Sequence, residues 1–306
     1  MFVADAHCDT LYQIAIKGMR PNQCVVTPGR LESGGVGLQT FALFAGREGP
    51  KGTPYADGLA MLAAASWLNA PMLTEALPDL PPQKPMGIFS CEGGEMLEGS
   101  LERLAEFQQA ARLRMIALTW NFENEIGFPA AKGAKPGLKP FGMKLLAAMD
   151  RYGILADTSH LNEAGFWNVC ERSALPPIAS HSDCRWLCDV PRNLKRDQVR
   201  AIIDRGGFIG INFYSDFLRA DGPATLDDVV RHIDALCELG GEHVIGFGSD
   251  FDGIERWPEG LGDPSGFPAL LDALRRRGYN ESTLEGIAGL NLWYLLKRAE
   301  REARVK

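Results

Sequence analysis

Residues 2–9 read FVADAHCD, an apolar start followed by polar side chains at every second position, Asp5, His7 and Asp9. In an extended strand alternate residues share a face, so these three point the same way. A solvated edge strand is one reading. The small residues between them, Ala4, Ala6 and Cys8, and the apolar Met1 to Val3 favour a buried strand instead. A buried strand that ends in His and Asp needs partners for both. The motif alone leaves two choices, a metal ion or a hydrogen-bonded set of polar core residues.

Working outward, runs of the same kind recur: GLQTFALF (37–44), MGIFSC (86–91), MIALTW (115–120), ILADTS (154–159), IASHS (178–182, after Pro177), FIGINF (208–213) and HVIGFGSD (243–250). They are mostly continuous rather than alternating, as expected of parallel strands buried on both faces. Helical periodicity lies between them, clearest over 57–73, 100–113, 144–152, 196–206 and 225–240. Ser100, Thr158 to Asn162 and Thr225 offer N-cap chemistry, and Gly206 and Gly240 stand where helices stop. Strand then helix, repeated around the chain, predicts an α/β fold, a single (β/α)8 TIM barrel spanning residues 1–306. Residues 129–140, PAAKGAKPGLKP, read as a loop, either plainly solvated or a lid over a pocket.

The bulk numbers narrow the partners. The 306 residues carry a net charge of −7, and no basic run exceeds Arg275 to Arg277, which argues against a nucleic-acid or anionic-membrane partner and for a small molecule. Asp5, His7 and Asp9 interrupt any signal-peptide pattern, and no uncharged stretch approaches the roughly 18 residues of a membrane span. The expected location is the cytoplasm. Cysteines 8, 24, 91, 170, 184, 188 and 237 form no C-x-x-C pair and read as reduced, mostly buried thiols.

In barrels of this kind function gathers at the C-terminal ends of the strands. There the sequence places His7 and Asp9, Glu92 of CEGG, His160 of DTSH, His181 of ASHSD, and Asp250 of GSDFDG. His232, inside a helical pattern, and His243, at the opposite end of the last strand, read as structural. Three histidines and three carboxylates on one rim are costly unless paired or metal-bound. The imidazole and carboxylate mixture suits two divalent ions sharing a carboxylate, favours zinc, and implies metal-assisted hydrolysis.

DAHCDT, SCEGGE, DTSH, SHSDCRWLCDVPRN and GFGSDFDGIERWPEGL, in that order, resemble the membrane (renal) dipeptidase family of zinc peptidases, over nearly the whole chain. The resemblance implies a (β/α)8 barrel of the metal-dependent hydrolase type. It implies hydrolysis of dipeptides with a free C-terminal carboxylate, tolerance of a C-terminal D-residue, and a hydroxide bridging two zinc ions. It makes His7, Asp9 and Asp250 ligands of one zinc, His160 and His181 ligands of the other, and Glu92 the bridge. Asp250 is also the implied proton shuttle, Arg192 the clamp for the substrate carboxylate, and Tyr12 part of an aromatic pocket wall.

Two departures stand out. Where the well-known members of the family have a histidine that helps hold the substrate carbonyl, this sequence reads ALTWNFENEIG, with Trp120 in its place and Asn121 beside it. One of these two is expected to supply a weaker or differently placed donor and to reshape substrate preference. The sequence also shows neither the signal peptide nor the lipid-anchor tail of animal relatives, so "membrane" is not expected to apply. A homodimer through the outer helices is compatible with the sequence. Two other readings remain open: a binuclear amidohydrolase or lactonase on a non-dipeptide substrate, which would have no use for Arg192, and a non-catalytic barrel used for binding, which the intact ligand set disfavours.

Overall fold

The computed structural model describes residues 1–46, 52–68, 70–130 and 135–304. Eight parallel strands close a barrel in chain order: β1 (Val3–Asp5), β2 (Val36–Phe44), β3 (Met86–Glu92), β4 (Met115–Ala117), β5 (Leu155–Asp157), β6 (Ile178–Ala179), β7 (Phe208–Ile211) and β8 (Ile245–Phe247). Closure comes from Asp5 of β1 pairing with Phe247 of β8. The continuous apolar runs are explained by burial on both faces: all nine residues of β2 are buried, and seven of them pair in register with β3.

Around the strands lie α1 (Thr10–Ala15), α2 (Pro28–Ser33), α3 (Pro54–Ala64), α4 (Leu101–Ala111), α5 (Pro140–Tyr152), α6 (Glu163–Arg172), α7 (Arg196–Arg205), α8 (Ser215–Leu218), α9 (Leu226–Cys237), α10 (Phe267–Arg277), α11 (Glu281–Glu285) and α12 (Asn291–Arg304). The caps fall where the sequence placed them. Ser100 and Asn162 accept from the amides of Arg103 and Gly165, and Gly206 ends α7 in the left-handed region at φ 61°. Buried Leu292, Trp293, Leu296 and Ala299 of α12 pack with Ala4, Leu38, Ile88, Leu155 and Phe208 from five strands, while Tyr294 faces solvent. Truncating Leu296 to Ala would cost about 2–5 kcal/mol.

Several boundaries differ from expectation. The helix expected over 57–73 begins at Pro54, capped by Thr53, and passes into a 3-10 turn ending at Trp67. Pro71 lacks an N–H and disfavours helical geometry at its predecessor, and residue 69 lies outside the described residues. The helix expected at 144 starts at Pro140, a proline at its first position, so that residue leaves the loop assigned to 129–140. The ladders of β1, β4, β5, β6, β7 and β8 are two or three residues shorter at their C-terminal ends than the apolar runs. Beyond Asp157 and Phe247 the chain turns out of the sheet through His160 (φ 65°) and Asp250 (φ 63°), left-handed conformations unusual for such residues and characteristic of functional sites. All seven cysteines are free thiols, with Cys170 and Cys237 only partly buried. Among the described residues no helix is long and apolar enough to cross a membrane.

Candidate metal centre and its cleft

The six strand-end residues converge. His7, Asp9, Glu92, His160, His181 and Asp250 are each 9% exposed or less, which rules out a solvated rim. Glu92 stands between the others. Its Oε1 lies 3.0 Å from His160 Nε2 and 3.5 Å from His181 Nε2. Its Oε2 lies 3.6 Å from His7 Nε2, which is itself 3.5 Å from Asp9 Oδ2 and 3.9 Å from Asp250 Oδ1. One carboxylate thus faces two donor sets, His160 with His181 and His7 with Asp9 and Asp250. The ligating atoms of His7, Asp9 and Asp250 lie within 4.8 Å of one another, as do those of His7, Glu92 and His181.

The imidazoles are aimed from behind. His160 Nδ1–H donates to Asn121 Oδ1 at 2.9 Å, and His181 Nδ1–H to Ser180 Oγ at 2.7 Å, leaving each Nε2 turned into the centre. Asn212 Nδ2 donates to Asp250 Oδ2 at 2.9 Å, which leaves Oδ1 facing His7. His7 Nε2 and Asp9 Oδ1 are buried without a hydrogen-bond partner. Orphaned donors of this kind, with imidazole and carboxylate ligands converging, fit divalent cations of the zinc type.

Electrostatics agree. Burial, then the charges of Asp9 and Asp250, push Glu92 up to about 8 against the pull of His7. Burial likewise raises Asp250, with Asp9 adding to it. Burial would lower His7, but Glu92 and Asp9 override it and hold the ring well above its usual value. His160 and His181 are driven well below theirs by burial, with Arg192 and His7 adding to the effect. Neutral imidazoles are in the form that ligates, and crowded carboxylates that resist ionising are what a dication relieves.

A cleft of ≈ 480 Å³ opens onto the centre, lined by Asp9, Tyr12, Phe44, Glu92, Trp120, Asn121, His160, Phe217 and Asp250 among others. Tyr12, Phe44 and Trp120 form one wall, with ring centroids 5.0 and 4.8 Å apart in sequence. Trp120 is 6.2 Å from the His160 ring, so it occupies the strand-4 position beside the centre. Asn121 is brought to the same place, but its carbonyl oxygen is already engaged with His160. A second cleft of ≈ 680 Å³ meets the first at His160 and is lined by Arg192.

Arg192 donates to Ser182 Oγ at 3.1 Å and to the His181 carbonyl at 3.0 Å, its Nε is buried without a partner, and its guanidinium lies 5.6 Å from the Phe217 ring. Among the described residues no carboxylate pairs with it, so it is not a surface ion pair. The structural reading of the other two histidines also fits. His232 bridges the Cys184 amide and the Leu218 carbonyl, and His243 is exposed at the far end of β8.

The flanks of the 129–140 loop are tied to this region. The Ala130 amide donates to His160 O at 2.8 Å, and Asn162 Nδ2 to the carbonyls of Lys135 and Pro136. Residues 131–134 of that loop lie outside the described residues. Sequence reasoning passed over Asn212, Ser180 and Gly253. A Cβ at Gly253 would stand 2.1 Å from Asp9 Oδ2 and 2.6 Å from Asp250 Oδ1, and the D-G pair at 252–253 is the only local signal of it.

Comparisons with known proteins bear on the chain as a whole. The family model described as membrane dipeptidase (peptidase family M19) matches residues 1–306. A Klebsiella pneumoniae chain described as an uncharacterized protein in the pqqA 5' region is 39% identical over 216 residues, 67% of this chain and 79% of that one. Rat dipeptidase 3 is 31% identical over 72% of this chain, a match that spans 46% of the rat protein's length. A metallopeptidase from Rhodobacter sphaeroides, solved with a phosphinate mimic of the dipeptide L-Ala-D-Ala, superposes with a TM-score of 0.88 at 26% identity over 98% of this chain and 99% of that one. With a closed barrel, a converged ligand set and a family match over its whole length, this chain belongs to the membrane dipeptidase family, peptidase family M19, of metal-dependent peptide-bond hydrolases.

Proposed function

We propose that the chain hydrolyses free-acid dipeptides, including those with a C-terminal D-residue, at a centre of two zinc ions. The observation that carries this reading is Glu92, whose two oxygens face two separate donor sets. His7, Asp9 and Asp250 would hold one ion, His160 and His181 the other, and Glu92 both. When bound, the ions supply Lewis acidity to the scissile carbonyl and to the attacking water.

The chain's own residues do the rest. Arg192 spends one hydrogen of each terminal nitrogen on Ser182 and His181, leaving three N–H donors for the substrate's carboxylate in a planar fork. Asp250, held through Oδ2 by Asn212, takes a proton from the water and returns it to the leaving amine. Tyr12, Phe44 and Trp120 exclude water from one side of the cleft. The ligand carried by the Rhodobacter sphaeroides structure supports acceptance of a C-terminal D-residue.

The test is a panel of L-Xaa-L-Xaa, L-Xaa-D-Xaa and Gly-D-Xaa dipeptides with C-terminally amidated controls, run on the zinc-loaded chain and on Asp250→Asn. Turnover of free acids only, lost in the variant, is the expected result. Equal turnover of the amides would remove the role given to Arg192 and favour a non-dipeptide amide or lactone as substrate.

A further inference from the structure

Two buried aspartates outside the ligand set occupy matching places in the barrel. Asp5 lies two residues before His7 at the end of β1, and Asp157 three residues before His160 at the end of β5. Each accepts from a serine just beyond the end of the neighbouring strand that immediately precedes another candidate ligand. Asp5 Oδ1 accepts from Ser249 N at 2.8 Å and Oδ2 from Ser249 Oγ at 2.6 Å, with Gln39 Nε2 at 2.9 Å; Ser249 precedes Asp250. Asp157 Oδ1 accepts from Ser180 N and Ser159 N, both at 2.9 Å, and Oδ2 from Ser180 Oγ; Ser180 precedes His181. Neither aspartate is more than 3% exposed, and neither touches the cleft.

We propose that Asp5 and Asp157 are positioning residues, each fixing one half of the centre through a serine: Asp5 with Ser249 the His7, Asp9 and Asp250 half, Asp157 with Ser180 the His160 and His181 half. This rests on the two-metal reading above. The second pair also sets a tautomer. Ser180 Oγ has one proton and gives it to Asp157, so it must accept from His181 Nδ1–H, which keeps the Nε2 lone pair free for a metal. In Asp157→Asn the amide nitrogen faces Ser180 Oγ as a donor. The hydroxyl then turns its proton to His181 Nδ1, and Nε2 takes the ring proton.

The experiment counts zinc per chain after dialysis by elemental analysis, locates it by anomalous diffraction, and reads the His181 ring nitrogens by 15N NMR in the metal-free chain. Wild type holds two. Asp157→Asn and Ser180→Ala lose the ion of the His160 and His181 half, with its affinity weakened about 10- to 100-fold, and keep the other. Asp5→Asn and Ser249→Ala show the reverse. Ser180→Thr, which keeps the hydroxyl, retains both, and Asp157→Asn moves the His181 ring proton to Nε2. Should an aspartate variant fail to fold, the serine variant, which leaves the backbone donors in place, decides the same point. Two zincs held at wild-type affinity in both serine variants, or both ions lost together from either one, overturns the proposal. A wild-type chain that binds fewer than two zincs overturns the two-metal reading, and this inference with it.

Discussion

The Nε2 atoms of His160 and His181 face each other at 3.0 Å. Each ring gives its Nδ1 proton away from the centre, to Asn121 and to Ser180, so each neutral ring presents a lone pair to the other. Facing lone pairs repel, and Glu92 Oε1 at 3.0 and 3.5 Å brings a carboxyl oxygen to the same point. A cation is the species that satisfies all three.

Proton release follows from the same crowding. Glu92, pushed up to about 8 by burial and by Asp9 and Asp250, is mostly protonated at pH 7 in the metal-free chain. A metal requires Glu92 ionised and His7, whose ring is held well above its usual value, neutral, so binding at pH 7 should expel protons from both and weaken as pH falls. Calorimetric zinc titrations in buffers of different ionisation enthalpy measure this. A heat independent of buffer would contradict it.

Gly253 lies close against the carboxylates of Asp9 and Asp250, and a methyl group there would meet both. Gly253→Ala should bind zinc far more weakly and lose most turnover while its thermal unfolding stays within a few degrees of wild type. Full zinc content in Gly253→Ala would show that the carboxylates give way freely.

Gly253 also marks the limit of what the sequence makes legible. The barrel could be read from continuous apolar runs such as 37–44 and 86–91, because burial on both faces leaves that mark on each strand alone. The candidate ligands could be read because His7, His160 and His181 end such runs. What holds the ligands could not. Ser249 and Ser180 matter through aspartates on the adjacent strands, and Gly253 in part through Asp9, more than 240 residues away, relations set by which strands neighbour one another in the barrel rather than by local spacing. Ladder lengths were hidden for a related reason: MIALTW stays buried up to Thr119 after pairing has ceased at Ala117.

His232 ties the segment carrying Arg192 to the end of α8. Its Nδ1 accepts from the Cys184 amide at 3.0 Å and its Nε2–H donates to Leu218 O at 3.0 Å, so a second ring proton would point at an N–H. Burial pushes its pKa down to about 4, while the unfolded chain titrates near 6.5. Below pH 6.5 the unfolded state binds the extra proton, so stability falls as pH drops from about 6.5 to about 4, by roughly 3 kcal/mol in all. Urea midpoints of metal-free wild type and His232→Gln between pH 7 and pH 5 should show a shallower decline in the variant. Parallel declines would place the acid sensitivity elsewhere.

Trp120 stands where a carbonyl donor is expected. Trp120→His should raise kcat/KM on free-acid dipeptides by up to about 100-fold, the scale of one oxyanion donor. Trp120→Phe, which keeps the ring packing on Phe44 and Phe122, should leave the rate low and alter which N-terminal side chains are preferred. Rates and preferences unchanged in both variants would remove Trp120 from substrate recognition.

The most direct measurement is turnover of L-Ala-D-Ala by the metal-free chain as zinc is added in known equivalents. With Glu92 serving both ions, activity should appear mainly with the second equivalent and reach its plateau at two per chain. A plateau at one equivalent, or no turnover with two ions bound, would contradict a two-zinc dipeptidase.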